Sequence, residues 1–302
     1  MSLFSFLGAV EIGLIFALVA LGVYISFRLL HFPDLTVDGS FPLGGAVCAI
    51  MIHSGFNPYI ATIGATLAGA CAGYITGWLN VRLKIMDLLA SILMMIALFS
   101  VNLRVMGGPN VPLINDPTMF TLLQPKGLED YWARPLILLV IVVIIKIAID
   151  WFFSTERGLA IRATGSNTRM ARAQGINTGA MVLLGMAVSN ALVGLAGALF
   201  AQTQGGADIS MGIGTIVIGL AAVIVGEAIL PSRRLIYATL AAILGAIVYR
   251  FFIAIALNSD FIGLKAQDLN LVTAVLVTLA LVVPNLKRML KHKRLPDAPK
   301  SM

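Results

Sequence analysis

Residues Ser154 to Thr178 read STERGLAIRATGSNTRMARAQGINT and lie between two long apolar runs, 132–153 and 179–203. The stretch carries Arg157, Arg162, Arg169 and Arg172 against a single acid, Glu156. Ser166 and Asn167 are residue types that cap helix N-termini, and Gly175 is the type that follows a helix C-terminus. The punctuation predicts a helix of about two turns over Thr168–Gln174. Arg169 and Arg172 then share one face by i,i+3 spacing, with Met170 and Ala173 turned towards another. A basic loop that only fixes topology or meets anionic lipid needs charge. It does not need caps, so the stretch is read as a shaped docking element.

The chain on either side is a membrane protein by composition. Its 302 residues are 59% hydrophobic and only 12% charged, with a mean hydropathy of +0.96. A soluble domain carries about twice that charged fraction. Apolar segments recur at 4–27, 41–55, 58–80, 87–106, 132–153, 179–203, 210–230, 235–257 and 269–290, most of them near the roughly 20 residues a crossing needs. The expectation is an all-α, polytopic helical membrane domain over 1–302 with about nine crossings (eight to ten). Continuous apolar runs exclude an alternating β-barrel. The short second segment and the glycine-rich seventh are candidates for broken helices, tolerated where backbone faces protein or a water-filled path. The first segment has no basic n-region and is too long for an h-region, so it is read as a spanning helix. Cys48 and Cys71 are read as small buried hydrophobes. A net charge of +7 belongs to loops, with no nucleic acid implied.

Orientation follows from the basic residues. With the N-terminus outside, fifteen of the 21 Lys and Arg fall on the inner side. Six of them are in the basic tail 287–302, and the loop 154–178 becomes cytoplasmic. The longest outer loop, Gly107–Tyr131, holds four prolines, which argue against a helix throughout.

Polar groups at membrane depth are the remaining candidates. Glu11 lies about two turns into the first segment, either as a transport group or as a packing carboxyl. Asp34 and Asp38 in FPDLTVDGSF look paired, yet no acid or His cluster supports catalysis or a metal, and His31 stands alone. Asp38 or Ser40 is expected to cap the second helix. Asp208 and Asp87 are expected as caps, and Glu227 as a partner of Arg233 or Arg234. Ser189 and Asn190 either line a path or bond a neighbouring helix. Met94 and Met211 are either core or path, and Gly185, Gly194 and Gly197 give faces for close helix packing.

GLAIRATGSNTRMARAQGINT resembles the cytoplasmic coupling loop of ABC-importer permeases of the branched-chain amino acid and ribose type. Gly158, Arg162, Ala163, Gly165, Asn167, Ala171, Gly175, Ile176 and Asn177 carry the likeness. ALVALGVYISFRLLHFPDLTVDGSFPLGGA is similar to the family's first helix and the turn into its second. Within it, DLTVDGSFPLG looks closest to a single-permease subgroup linked to aromatic amino acid uptake. The resemblance implies a type II importer in the bacterial inner membrane: two permease copies, two ATPases and an extracytoplasmic binding protein. It implies ATPase coupling through Arg162, Asn167, Arg169, Met170, Arg172 and Gly175. Candidates for the substrate path are Glu11, Asp38, Ser40, Asn190, Met94 and Met211. The chain has no GxxxxGK[ST], so ATP and Mg are expected on a partner ATPase, with no cofactor or metal here. A modest-sized amino acid is the preferred cargo and a sugar or nucleoside the alternative. The competing class is an ion-coupled secondary transporter using Glu11 and Asp38; an enzyme lacks any supporting constellation.

Overall fold

The computed structural model describes residues 3–124, 130–232 and 234–257, together with Val275 and Thr278. The ninth apolar segment at 269–290, the tail 287–302 and Arg233 lie outside the described residues. Among those described, seven helical runs are long and apolar enough to cross a bilayer. They are α1 (Leu3–Val23) with the π-helical turn Tyr24–Leu29 that continues it, α3 (Pro58–Leu83), α4 (Asp87–Met106), α6 (Asp130–Ser154), α9 (Thr178–Gln204), α10 (Thr215–Ile229) with the 3₁₀ turn Ile209–Gly212 before it, and α11 (Leu235–Leu257). The helix α2 (Val37–His53) has 17 residues and falls short of a full crossing. Short helices α5 (Met119–Leu123), α7 (Glu156–Ser166) and α8 (Thr168–Ala173) lie between the long ones.

Local chemistry sets several boundaries. Asn57 caps α3 by accepting from the Tyr59 N–H, and Pro58 fills the first helical position, where its missing N–H costs nothing. Asn177 caps α9 by accepting from the Ala180 N–H, and Gly205 ends it in the left-handed region. The seventh apolar segment is interrupted. Asp208 caps the 3₁₀ turn through the Ser210 N–H, the chain turns at Gly214 with φ +79°, and α10 starts only at Thr215. Its 15 residues span about 22 Å, against roughly 30 Å of hydrocarbon.

Two groups of helices pack against each other. The first is α1 with α6, α10 and α11, centred on Leu14, Leu18, Leu21 and Tyr249. The second is α2 with α3 and α9. Along this second group small residues replace side chains at the contact. A Cβ on Gly44 would run into the Gly194 carbonyl, and one on Gly197 into the Phe41 carbonyl. One on Gly73 would strike the Met186 carbonyl. Such close backbone approach is the use that small residues have between membrane helices. Cys48 is buried here as expected, but Cys71 is exposed on α3; in a membrane domain that face meets lipid or protein, so an apolar residue can stand outside the core.

At one end of the bundle, strand β1 (Asn110–Pro112) pairs antiparallel with β2 (Gly206–Asp208) and ties the end of α4 to the end of α9. The loop 107–131 thus holds a strand and α5, although not a continuous helix; 125–129 lie outside the described residues. The opposite end carries α7 and α8 and is called the arginine end below.

Candidate functional site

At the arginine end the 154–178 stretch folds as two short helices. The α8 helix begins at Asn167, whose side chain accepts from the Met170 N–H at 3.0 Å. It ends before Gly175, at φ +82°, with the Gly175 N–H donating to the Arg172 carbonyl and the Ile176 N–H to the Ala171 carbonyl. Of its side chains Ala171 is buried, while Asn167, Arg169, Met170 and Arg172 are exposed. Arg172 Nε donates to Thr178 Oγ1 at 2.9 Å, which bonds the short helix to the first residue of α9. Arg162 on α7 is half-buried. The backbone of α7 is set by Gly165, where a Cβ would run into the Leu29 carbonyl. The expected helix and its caps are therefore present, with Arg169 and Met170 on the free surface.

The second polar region lies inside the bundle. Asn190 on α9 is fully buried. It donates from Nδ2 to Asp34 Oδ2 at 2.7 Å and accepts from Ser40 Oγ at 2.7 Å. Asp34 also accepts from the Thr36 N–H at 3.0 Å, and the Thr36 and Thr76 hydroxyls are 2.9 Å apart. Ser189 Oγ donates to the Gly22 carbonyl at 2.7 Å. These groups satisfy one another across α1, α2, α3 and α9, as buried polar groups must. Ser40, Ser189 and Asn190 are buried and bond between helices.

Three sequence expectations are corrected here. Asp38 and Ser40 do not cap α2: Thr36 holds that position, without a side-chain bond. The Asp38 carboxylate instead accepts from the Gly214 N–H at 3.2 Å and the Ile216 N–H at 2.7 Å. It thereby caps α10, whose interrupted start leaves its first N–H groups without helical partners. Asp87 is the first residue of α4 and not its cap, which is Met86, and it accepts from Asn80 Nδ2. Glu227 pairs with Arg28 at the end of α1, because α1 and α10 end side by side; of the partners expected for it, Arg233 lies outside the described residues.

The other candidates separate. Met94 is buried with Leu43, Ala72 and Leu98, a core position. Met211 is half-buried, its methyl group filling the space over Gly45. Glu11 is half-buried on α1 and feels the charge of Arg134 at the start of α6. Among the described residues no three His, Cys, Asp or Glu side chains gather as a metal site. Sequence reasoning passed over Asn102, 1% exposed, whose Nδ2 donates to the Gly39 carbonyl at 3.1 Å while its Oδ1 has no partner. A lone amide in the apolar run LFSVNLRVM is the signal that marks it.

Comparison with known proteins adds to this geometry. A family model described as branched-chain amino acid transport system / permease component matches residues 6–283. The chain is 38% identical over 289 residues to the tyrosine transport system permease protein of Clostridioides difficile (strain R20291), covering 95% of this chain and 94% of that one. It is 24% identical over 265 residues to the ribose import permease protein of Escherichia coli (strain K12), covering 84% and 78%. In fold it is similar to a chain of PsaBC from Streptococcus pneumoniae in complex with Fab. That likeness has a TM-score of 0.53 and 12% identity over 93% of this chain and 91% of that one, a likeness of fold alone.

Proposed function

The chain belongs to the permease-component family of branched-chain amino acid transport systems, and from that premise we propose how this permease works and what it carries. It is a multi-pass membrane permease of an ABC transport system, not an enzyme. The cargo is an amino acid, with a bulky side chain such as that of tyrosine preferred over a sugar or nucleoside. The similarity to a tyrosine transport permease along nearly the whole of both chains supports that preference over the more distant ribose permease. An ion-coupled mechanism through Glu11 and Asp38 has little support beside the match to permease components along nearly the whole chain.

The observation that carries the mechanism is the capped, arginine-bearing α8, held to the first residue of α9. A separate ATPase holding ATP and Mg seats on the exposed Asn167, Arg169, Met170 and Arg172, with Gly175 and Arg162 shaping the element. Movement of the ATPases is passed to α9 through Thr178. Two permease copies meet two ATPases as a homodimer about a central path. The arginine end is cytoplasmic in the bacterial inner membrane, and the β1–β2 end receives the extracytoplasmic binding protein. With the short α2 and the segment at 269–290 both counted as crossings, the seven long runs become about nine, and the C-terminus is inside.

Proteoliposomes holding the permease, its ATPase and ATP, with binding protein outside, should accumulate labelled L-tyrosine and leave D-ribose untouched. Tyrosine uptake that survives without ATP but collapses with an ionophore would sink this reading. A purified complex with one permease copy, or two different ones, breaks the homodimer. Thiols introduced at Asn115 or Gln124 should react with an impermeant reagent from outside intact cells; labelling only after lysis inverts the orientation.

A further inference from the structure

A cavity of about 430 Å³ lies between α2, α4 and the turn before α10, within the usual range for small-ligand sites. Its walls are mostly apolar, with Met95, Phe99 and Ile213 among them, and Asp38, Ser100 and Asn102 are its polar groups. Two of these bear unused acceptor capacity. Asn102 Oδ1 is buried without a partner, an arrangement that is unfavourable unless a donor arrives. Asp38 gives two lone-pair sites to Gly214 and Ile216 and keeps others, because a carboxylate offers about four. Among the described residues the lining contains no Lys or Arg. The site therefore suits a ligand with a multiple N–H donor at one end and an apolar body. A hard cation such as Ca²⁺ or Mg²⁺ fits poorly, since it wants six or more oxygens in a tight shell.

We propose that this cavity is a transient holding site for the transported amino acid. The ammonium group of the amino acid donates to Asn102 Oδ1 and the Asp38 carboxylate, and its side chain lies along Met95 and Phe99. Its carboxylate stays at the mouth, on the side where Phe99 and Ile213 are exposed. The same Asp38 fixes the start of α10, so arrival of the ammonium group competes for the anchor of that helix. The proposal rests on the amino-acid reading above.

The test uses the permease bound to its ATPase in nanodiscs, with Cys71→Ser removing the exposed native thiol and Ser100→Cys placing one in the wall. L-tyrosine at twice its half-saturating concentration should slow N-ethylmaleimide labelling about threefold, as 1 + [L]/Kd requires. N-acetyl-L-tyrosine, which keeps the side chain but has no ammonium group, should not slow it. Adding Asn102→Leu should abolish the protection, and Asn102→Asp, which keeps the acceptor, should retain it. If Asn102→Leu does not fold, the contrast between the two tyrosines still decides. Equal slowing by both compounds, or none by either, overturns the site. Tyrosine uptake by the wild-type importer without protection overturns the site and leaves the amino-acid reading standing; neither uptake nor protection overturns both.

Discussion

The 154–178 stretch and the Asp34–Asn190–Ser40 network are both polar regions of an apolar protein, built in opposite ways. In the first, every bond that shapes α8 joins residues within a few positions: Asn167 to Met170, Gly175 to Arg172, Arg172 to Thr178. Its side chains are solvated. In the second, Asn190 joins partners 150 and 156 residues away and is fully buried. A local, exposed motif can be changed without disturbing the fold, and it is therefore free to be used for docking. A buried network holds separate helices in register, and removing one member strands the others.

The difference should appear first in stability. Asn190→Leu leaves the buried Asp34 and Ser40 without their amide partner, a loss of about 2–4 kcal/mol. Thermal unfolding of the purified protein should show a clear fall in midpoint. A midpoint within about 2 °C of wild type would break the contrast at its strong end. Asp34→Leu combined with Asn190→Leu should cost less than the sum of the two single changes, since they share one bond.

The docking region should give the reverse pattern. Arg169→Glu with Arg172→Glu should leave the unfolding midpoint nearly unchanged, because exposed substitutions stay within about 0.5 kcal/mol. Loss of about 2 kcal/mol of docking energy should cut ATP-driven uptake by roughly 30-fold. Normal transport with the ATPase retained would reduce the stretch to a topology signal. Gly175→Val tests the cap alone. A β-branched residue at φ +82° is strained by about 1–2 kcal/mol, so α8 should fray and uptake should fall several-fold with the membrane helices intact. Smallest of all, Arg28→Gln removes an exposed pair with Glu227. It should cost under about 1 kcal/mol, read as a shift of only a few degrees in the same melting experiment.

What the sequence disclosed follows the same division. The positions of the long helices, the Asn167 and Asp208 caps and the turn at Gly175 were legible, because caps and hydrophobic length act through near neighbours. Partner choice was not. Asp38 stands two residues after Thr36 and looks like the cap of its own helix, but a break 176 residues later offers it unpaired N–H groups. Glu227 looks made for the nearby Arg233 or Arg234, but the packing of α1 beside α10 brings it Arg28. Asn102 looks like an incidental amide until α2 and α4 close around it. Burial and pairing across the bundle depend on which helices pack together, and no periodicity within one segment encodes that.

The seam where Gly44, Gly194 and Gly197 let backbones touch has a mechanical consequence. Interlocking side chains can yield by changing rotamer, whereas main chain pressed against main chain has no such slack. The three helices α2, α3 and α9 therefore form a stiff beam. A push delivered at Thr178, as proposed for the ATPases, would travel along that beam to the β1–β2 ribbon at its far tip with little lost to bending. Compliance is left to the parts of the wall that the beam does not include, the exposed α4 foremost.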